Sequence, residues 1–256
     1  NFTAGNDINA VAVDPRTQEV WVATNGGVVR WDPQLSTYTK YTVLDGLATN
    51  QVHAVAIDAD GNRWFGTEGL VSMFSVAGEW TTYDQIGAAD TVYAITFDAA
   101  GNTWFGTARH GLRRLGVDDV WTHFEYPGGD GPAILETLAF DHAGNLWVGT
   151  HENGIGVLSP DFQWRPYTAQ DTPLLYSNRI GAIAVDSGGD IWITSDGGLS
   201  RVRSDGQWVQ CNTENSCQRT DLGIMAIDED DNKWFWGVFL LDRDGHWIYL
   251  DDPRLE

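Results

Sequence analysis

The chain has few basic residues, few cysteines and no long apolar run. Its 256 residues include 15 lysines and arginines against 36 acidic residues, a net charge of −21. Nucleic-acid binding requires clustered Lys and Arg to displace counterions from phosphates, so this composition excludes it. The apolar runs are only a few residues long, which predicts no membrane insertion. Such an acidic surface favours a soluble protein, which we expect to be a monomer.

Cysteine occurs only at Cys211 and Cys217, in "CNTENSC". A metal site would need further Cys or His at short spacing, and this segment has none. A local disulfide is the simplest interpretation, and the loop it closes would add about 2 kcal/mol of stability. Two unpaired thiols are the alternative. The disulfide interpretation predicts a secreted or periplasmic, extracellular protein.

Helical periodicity with caps is absent, and a repeat takes its place. Six short strings, "WVAT", "WFGT", "WFGT", "WVGT", "WITS" and "WFWG", begin with tryptophans 40 to 45 residues apart: Trp21, Trp64, Trp104, Trp147, Trp192 and Trp234. An aspartate precedes each by six or seven residues, after a short apolar segment such as "HAVAI". A second aromatic row follows at Tyr38, Trp80, Trp121, Trp164, Trp208 and Trp247.

Each repeat predicts four short strands, because β-branched and aromatic segments alternate with Gly, Asp and Asn. Four-stranded units at this period are typical of a β-propeller; a linear solenoid would show one strand per coil. We therefore predict an all-β, six-bladed β-propeller of four-stranded antiparallel blades, one domain over residues 1–256. The predicted blades span approximately 8–44, 50–84, 91–126, 134–168, 180–211 and 222–250. The tryptophan rows are expected to fill the gaps between blades.

The string "DADGN" at residues 58–62 also invites a calcium interpretation. Asp58, Asp60 and Asn62 occupy the first, third and fifth places of an acidic calcium loop, but Arg63 and Gly69 occupy the sixth and twelfth. Those places require glycine and a bidentate glutamate. The string therefore predicts a hairpin turn in which the aspartate accepts backbone N–H bonds.

With "LDGLATNQVHAVAIDADGNRWFGT" at residues 44–67, the chain resembles the two-component regulator propeller family. More distantly, it resembles the streptogramin-lyase-like propellers. The "D..GN.W.GT" pattern returns in blades two to four, and blade six has Trp236 in place of the glycine. The first resemblance implies an extracytoplasmic sensing propeller of bacterial regulators that detects small ligands, often saccharides. The second implies a lyase that uses histidines with magnesium.

Propeller ligands usually meet the loops between second and third strands and between blades, so the candidate residues are taken from these loops. The candidate ligand-binding residues are Asn25, Glu68, Arg109, His110, His151, Glu152, Asp196, Tyr176 and Arg179. His110 and His151 occupy matching places in adjacent repeats, each beside a charged residue. Such a pair could bind a divalent cation or act as acid and base.

We expect a non-catalytic binding or sensing module without a cofactor, whose partner is a saccharide, a peptide or another protein. One alternative is a metal-dependent lyase or hydrolase that uses His110, His151 and Glu152 with a divalent cation. The other alternative is a structural scaffold for protein interactions. The fold alone does not decide among them, because β-propellers host many activities.

Overall fold

The computed structural model describes residues 7–87, 90–127, 133–209, 223, 225–235 and 239–249. Twenty-four strands form six sheets of four, each built from consecutive antiparallel strands. The all-β, six-bladed β-propeller predicted from the repeat is confirmed. Within the described residues, no helix has the length and hydropathy of a membrane span. The cysteines of the predicted disulfide, Cys211 and Cys217, lie outside the described residues.

The chain forms two compact units, and the first, Asn1–Glu125, contains blades one to three. Its strands follow a single pattern, in which each strand pairs with the next along the chain. Blade one comprises β1 (Ile8–Val13), β2 (Val20–Thr24), β3 (Gly27–Asp32) and β4 (Thr37–Tyr41). Blade two comprises β5 (Val52–Ile57), β6 (Arg63–Thr67), β7 (Val71–Phe74) and β8 (Trp80–Tyr83). Blade three comprises β9 (Val92–Phe97), β10 (Thr103–Thr107), β11 (Leu112–Leu115) and β12 (Trp121–Phe124).

The second unit, Tyr126–Glu256, contains blades four to six. Blade four comprises β13 (Leu135–Phe140), β14 (Leu146–Thr150), β15 (Ile155–Leu158) and β16 (Trp164–Tyr167). Blade five comprises β17 (Ile180–Val185), β18 (Ile191–Ser195), β19 (Gly198–Val202) and β20 (Trp208–Val209). Blade six comprises β21 (Met225–Ile227), β22 (Lys233–Phe235), β23 (Phe239–Leu241) and β24 (Trp247–Tyr249).

The turn between the first two strands of a blade is organised by its aspartate. In blade two, Asp58 Oδ1 accepts the backbone N–H of Asn62 at 2.8 Å, as the sequence predicted. Its other oxygen accepts the Asn62 side-chain amide at 2.9 Å and the Trp64 indole N–H at 2.8 Å. The indole bond recurs in blades three to six at 2.7 to 2.9 Å. The aspartate thus links the turn to the tryptophan of the second strand, which explains why their spacing is constant in these blades.

The predicted packing of aromatic rings between blades is clearest between blades one and two. Trp21 stacks on Tyr41 with 5.7 Å between ring centroids, and Phe65 and Phe74 lie within 5.9 Å of it. Stacked and tilted rings of this kind add to the free energy gained from burial. The outer row does not pack uniformly, since 56% of Tyr38 is exposed.

Small residues on the inner strands lie directly opposite the tryptophans. Ala12 pairs with Trp21, and the same pairing returns in every blade at Ala56–Trp64, Thr96–Trp104, Ala139–Trp147, Ala184–Trp192 and Ala226–Trp234. Directly paired side chains lie close together on one face of the sheet, so a small residue on the inner strand leaves room for the indole there. This pairing supplies a local reason for the small residues at these positions.

Candidate functional site

We call the edge of a blade that carries the loop between its second and third strands the upper edge. The opposite edge, which carries the aspartate turns, is the lower edge. The inner strand of blades one to five has a β-bulge at its upper end, where the register shifts after the first residue. The bulged residues are Asn9, His53, Tyr93, Glu136 and Gly181. A bulge turns its side chain out of the regular alternation, so four polar or aromatic groups are placed at the upper edge.

In blade one the bulged residue organises the loop that contains Asn25. Asn9 Nδ2 donates to Asn25 Oδ1 at 2.8 Å and to the carbonyl of Val52 at 2.7 Å. Asn25 Nδ2 in turn donates to Asp7 Oδ2 at 3.0 Å. Asn25 is exposed. The predicted ligand-binding residue is therefore part of an ordered amide network.

The bulged residues of blades two and three contact each other. The rings of His53 and Tyr93 meet edge to face with 5.4 Å between centroids, and 37% of Tyr93 is exposed. Burial lowers the pKa of His53, and the negative charge of the predicted residue Glu68 partly opposes this. Glu68 itself is exposed and forms an isolated bridge with Thr91. His53 is accordingly a half-buried imidazole beside an exposed tyrosine, and its burial favours the neutral form.

Asp90 fixes the loop that carries Arg109 and His110. This fully buried carboxylate accepts the backbone N–H of Arg109 at 2.8 Å and of His110 at 3.0 Å. It also lies 2.8 Å from Nδ1 of His110, whose side chain is 48% exposed. An ionised carboxylate can only accept, so Nδ1 carries the proton and Nε2 is the nitrogen offered to a ligand. A fixed imidazole with a defined tautomer can bind, ligate a metal or exchange a proton.

His151 in blade four has the same arrangement with a different partner. Its Nδ1 lies 2.7 Å from Oε1 of the bulged residue Glu136, and its backbone N–H donates to the carbonyl of Ile134 at 3.0 Å. Both side chains are about one-third exposed. The neighbouring Glu152 is exposed. The second predicted histidine therefore also has a carboxylate that orients its ring.

Three further predicted residues lie on the upper edge of blade five and the loop before it. Arg179 Nη1 and Asp196 Oδ2 are 3.9 Å apart, and both side chains are more than half exposed. The backbone of Asp196 donates to the carbonyl of Arg179 at 3.3 Å. Tyr176 is 37% exposed and lies against Gly197, where an added Cβ would be 2.5 Å from Tyr176 Cβ. The absence of a side chain at residue 197 thus allows the tyrosine to pack there.

The structure brings several predicted residues together within each unit. Arg109 and His110 share Asp90, and Arg179 meets Asp196. His110 belongs to the first unit and His151 to the second, so their predicted joint action stays a prediction. Within the described ranges, no group of three or more His, Cys, Asp and Glu side chains could hold a metal ion.

The bulged residues Asn9, Tyr93 and Glu136 and the buried carboxylate Asp90 are not among the candidate ligand-binding residues taken from the sequence. The bulged row could have been recognised by aligning the six repeats. In the aligned repeats, the position just before the apolar segment of the inner strand holds a polar residue, an aromatic residue or glycine. An apolar residue would be expected at this position if the segment simply continued. The sequence places Asp90 in a loop between blades but does not pair it with His110, since only the folded loop brings the two together.

Comparisons with known proteins agree with the architecture. No family model matches the chain, and neither does any curated protein. Among solved structures, a streptogramin B lyase is similar with a TM-score of 0.79 and 15% identity, over 97% of this chain and 84% of the lyase. The extracellular domain of the hybrid two-component system protein BT3049 from B. thetaiotaomicron is similar with a TM-score of 0.74 and 19% identity. That match covers 96% of this chain and 34% of BT3049, so the chain spans about a third of that domain.

A third similar structure is XC5397 from Xanthomonas campestris, described as a gluconolactonase. Its TM-score is 0.59 at 16% identity, and the match covers 93% of this chain and 84% of XC5397. Solved neighbours thus include the extracellular domains of two-component systems and the lyase propellers that the repeat resembles. At these identities the similarity establishes the fold, and one fold serves several activities.

Proposed function

We propose that this protein is a non-catalytic binding or sensing propeller that acts outside the cytoplasm. Its ligand contacts the upper edges of the blades, each of which carries a loop between second and third strands and, in blades one to five, a bulged residue. The observation that carries the proposal is the buried Asp90, which fixes both backbone and ring of His110 while leaving the ring half exposed. A loop that is already ordered in the free protein loses less conformational entropy when the ligand binds.

The side chains offered at the upper edge suit a hydroxyl-rich or peptide ligand. Exposed tyrosine faces at Tyr93 and Tyr176 can stack on a sugar ring or an apolar side chain. In the first unit, which contains Tyr93, the amide of Asn25 and the carboxylate of Glu68 supply hydrogen-bonding groups. In the second unit, which contains Tyr176, the carboxylate of Glu136 supplies another. A saccharide is the ligand class we place first, and a peptide the second.

The sensing role rests on the likeness to extracellular domains of two-component systems such as BT3049. Because this chain spans about a third of that domain, the role of the whole protein belongs to the proposal. Localisation outside the cytoplasm is proposed on the same likeness.

The experiment is a thermal-shift screen of the native protein against saccharides, short peptides and divalent ions. A ligand that binds only the folded state raises the melting temperature, because it adds RT ln(1 + [L]/Kd) to the free energy of unfolding. The double variant Glu68→Gln/His110→Asn should lose the shift. The matched control His246→Asn removes a lower-edge imidazole that also contacts an aspartate, Asp242, and should keep it. Equal shifts in both variants would place the ligand away from the upper edges of blades two and three, and would overturn the Asp90–His110 loop as the basis of the proposal.

A metal-assisted lyase or hydrolase is the second candidate, favoured by the carboxylate-oriented imidazoles of His110 and His151. In the structure of a streptogramin B lyase the same fold serves an enzyme. The test is incubation with a streptogramin B antibiotic with and without Mg²⁺, followed by mass spectrometry. Turnover that stops in His110→Asn and His151→Asn would establish this candidate and overturn the non-catalytic one.

A further inference from the structure

A cavity lies on the lower edge of the second unit, in the cleft between blades four and five. The cavity there has a volume of about 600 Å³, within the range of small-molecule sites. Its apolar floor includes Trp147, Val157, Ile191 and Val202. None of these residues belongs to the upper-edge site proposed above.

The cleft between blades one and two shows what can occupy such a place. There the ring of Trp21 has two guanidinium groups over it, with Cζ of Arg30 at 5.9 Å and Cζ of Arg63 at 5.0 Å from its centroid. Arg30 is the cross-strand partner of the tryptophan, and Arg63 is the first residue of the second strand in the next blade. Tyr41 stacks on the same indole.

The cleft between blades five and six repeats this arrangement. Trp192 has Cζ of Arg201 at 4.9 Å and Nζ of Lys233 at 4.8 Å from its centroid. Arg201 is again the cross-strand partner of the tryptophan, and Lys233 is again the first residue of the next second strand. Nζ of Lys233 lies 3.8 Å from the turn aspartate Asp186. Two clefts of this chain therefore hold a pair of internal cations on a tryptophan.

Between blades four and five, both cation positions hold short apolar residues. Val157 is the cross-strand partner of Trp147, and Ile191 is the first residue of β18. Tyr167 stacks on Trp147 with 6.1 Å between centroids and 5° between planes, as Tyr41 does on Trp21. The tryptophan and its tyrosine are thus retained, while the long side chains that fill the other two clefts are replaced.

Neutral residues at these positions do not by themselves require a ligand, as blades two and three show. Met73 is the cross-strand partner of Trp64, and Thr103 is the first residue of β10. Met73 packs against the core cluster that contains Trp64, so its long side chain occupies the space. Val157 is much shorter, which gives a steric reason for the cavity beside Trp147.

The charges around the cavity favour a cation. Asp141 accepts four hydrogen bonds from its own turn, from Ala143, twice from Asn145 and from Trp147, at 2.8 to 2.9 Å. It therefore supplies a fixed negative charge at the cavity wall. Two exposed carboxylates, Asp161 and Asp205, also line the cavity.

Two guanidinium groups line the same cavity, from Arg165 and Arg203. Cζ of Arg165 lies over Tyr167, 5.3 Å from its centroid. Three carboxylates against two guanidinium groups leave the lining acidic, in a chain whose net charge is −21. A cation over an indole gains further from the ring quadrupole.

We propose that this cleft binds an organic cation, a guanidinium or primary ammonium group carried on a short aliphatic chain. The positive group lies over Trp147 in the place that arginine and lysine side chains take on Trp21 and Trp192. The aliphatic chain covers Val157, Ile191 and Val202. The site is independent of the upper edge, so it holds whether or not the proposed function is correct.

The test is isothermal titration calorimetry of the full chain with agmatine and cadaverine, each at millimolar concentration. The neutral comparator is 1,5-pentanediol, which has the chain of cadaverine with hydroxyls in place of the ammonium groups. Both cations should bind, and binding should weaken with added salt. The diol should not bind. Equal affinity for cadaverine and the diol, or no heat from either cation, would overturn the proposal.

Two variants then test the position of the site. Val157→Arg places in blade four the residue that blade one and blade five have, and should abolish cadaverine binding. Val157→Ile, which keeps the position apolar, should leave binding within about threefold of the parent, since the added methyl group is small. If the arginine variant folds and binds like the parent, the cation does not lie over Trp147.

A charge variant keeps the test valid should the arginine variant not fold. Asp161→Asn/Asp205→Asn changes only exposed turns and should lower affinity roughly 2- to 30-fold, the effect of two exposed ion pairs. The matched control Glu79→Gln/Asp118→Asn makes the same charge change in the corresponding turns of blades two and three. It should leave affinity unchanged. Equal losses in both would mean that the net charge acts without a specific site.

Discussion

Replacing Arg63 with methionine is the sharpest test of the packing between blades one and two. Arg63 is buried, and its Nη2 lies 2.9 Å from Asp14 Oδ2 and 3.3 Å from Glu19 Oε2. Both carboxylates are buried as well. Methionine keeps much of the volume over Trp21 but removes the charge. Removing one partner of a buried ion pair costs about 3–5 kcal/mol when the other charge is left uncompensated. Arg16 still contacts Asp14 and Arg30 still contacts Glu19, so about 3 kcal/mol is the upper limit expected for Arg63→Met.

The size of the loss should depend on pH. Burial raises the pKa of Asp14, but hydrogen bonds from Arg16 and the charges of Arg16 and Arg63 outweigh it and hold that pKa below its usual value. A folded-state pKa below the unfolded one gives stability that is present above the unfolded pKa and lost as pH falls through the folded pKa. Arg63 contributes to this lowered pKa through its charge, after Arg16, so part of the destabilisation by Arg63→Met should be present near neutral pH and lost in acid.

The assay is urea unfolding followed by tryptophan fluorescence at neutral pH and at successively lower pH. The control is Arg16→Met, which removes a guanidinium from the same carboxylate where the arginine side chain is 44% exposed. Arg16 is the first of the groups that lower the pKa of Asp14, but its exposed side chain is screened by solvent, so its ion pair should contribute only about 0–1 kcal/mol. Arg16→Met should therefore cost less stability than Arg63→Met. Losses of equal size in the two variants, or a loss for Arg63→Met that is the same at every pH, would refute the reasoning.

Two further predictions concern the aspartate turn and the upper edge. Asp58→Ala should destabilise the chain by about 1–3 kcal/mol, because the buried Trp64 indole N–H loses its acceptor. Asp60→Ala should change the free energy of unfolding little, and calcium should not alter either result. At the upper edge, two-dimensional NMR should show His53 titrating below the usual histidine range, and lower still in Glu68→Gln, because Glu68 raises its pKa. Between the folded and the unfolded pKa of His53, the unfolded chain binds more protons than the folded one, so the free energy of unfolding should rise with pH in that range. An unchanged His53 pKa in Glu68→Gln would contradict the effect of Glu68 on this histidine.

The fold could be predicted from the repeat because the residues that determine the structure of each blade lie close together in the sequence of that blade. An aspartate six residues before Trp64 builds the turn and accepts the indole N–H, a relation of short range in the chain. The period of the tryptophans and the small residues opposite them follow from pairing within a single sheet. Such local relations produce a repeating pattern in the sequence, and this pattern predicted the number of blades and the order of their strands.

The candidate residues were partly predictable for the same reason. Loop positions such as His110 and His151 follow from the place of each loop in its repeat. Their chemical states do not, because the carboxylates that orient the rings come from an interblade loop at Asp90 and a bulge at Glu136. A bulge depends on how two strands register, which one strand's sequence does not show.

The order of residues along the chain is enough to specify a six-bladed propeller with polar loops at one edge of its blades. It is enough because hydrogen bonding and alternation within a blade are local and repeat six times. Where space remains between blades is visible only once the sheets are packed together. The cavity beside Trp147 exists because Val157 and Ile191, from two different blades, are both short where Arg201 and Lys233 fill the next cleft. Volume left between packed sheets is a property of neighbours in space, so no repeat pattern records it.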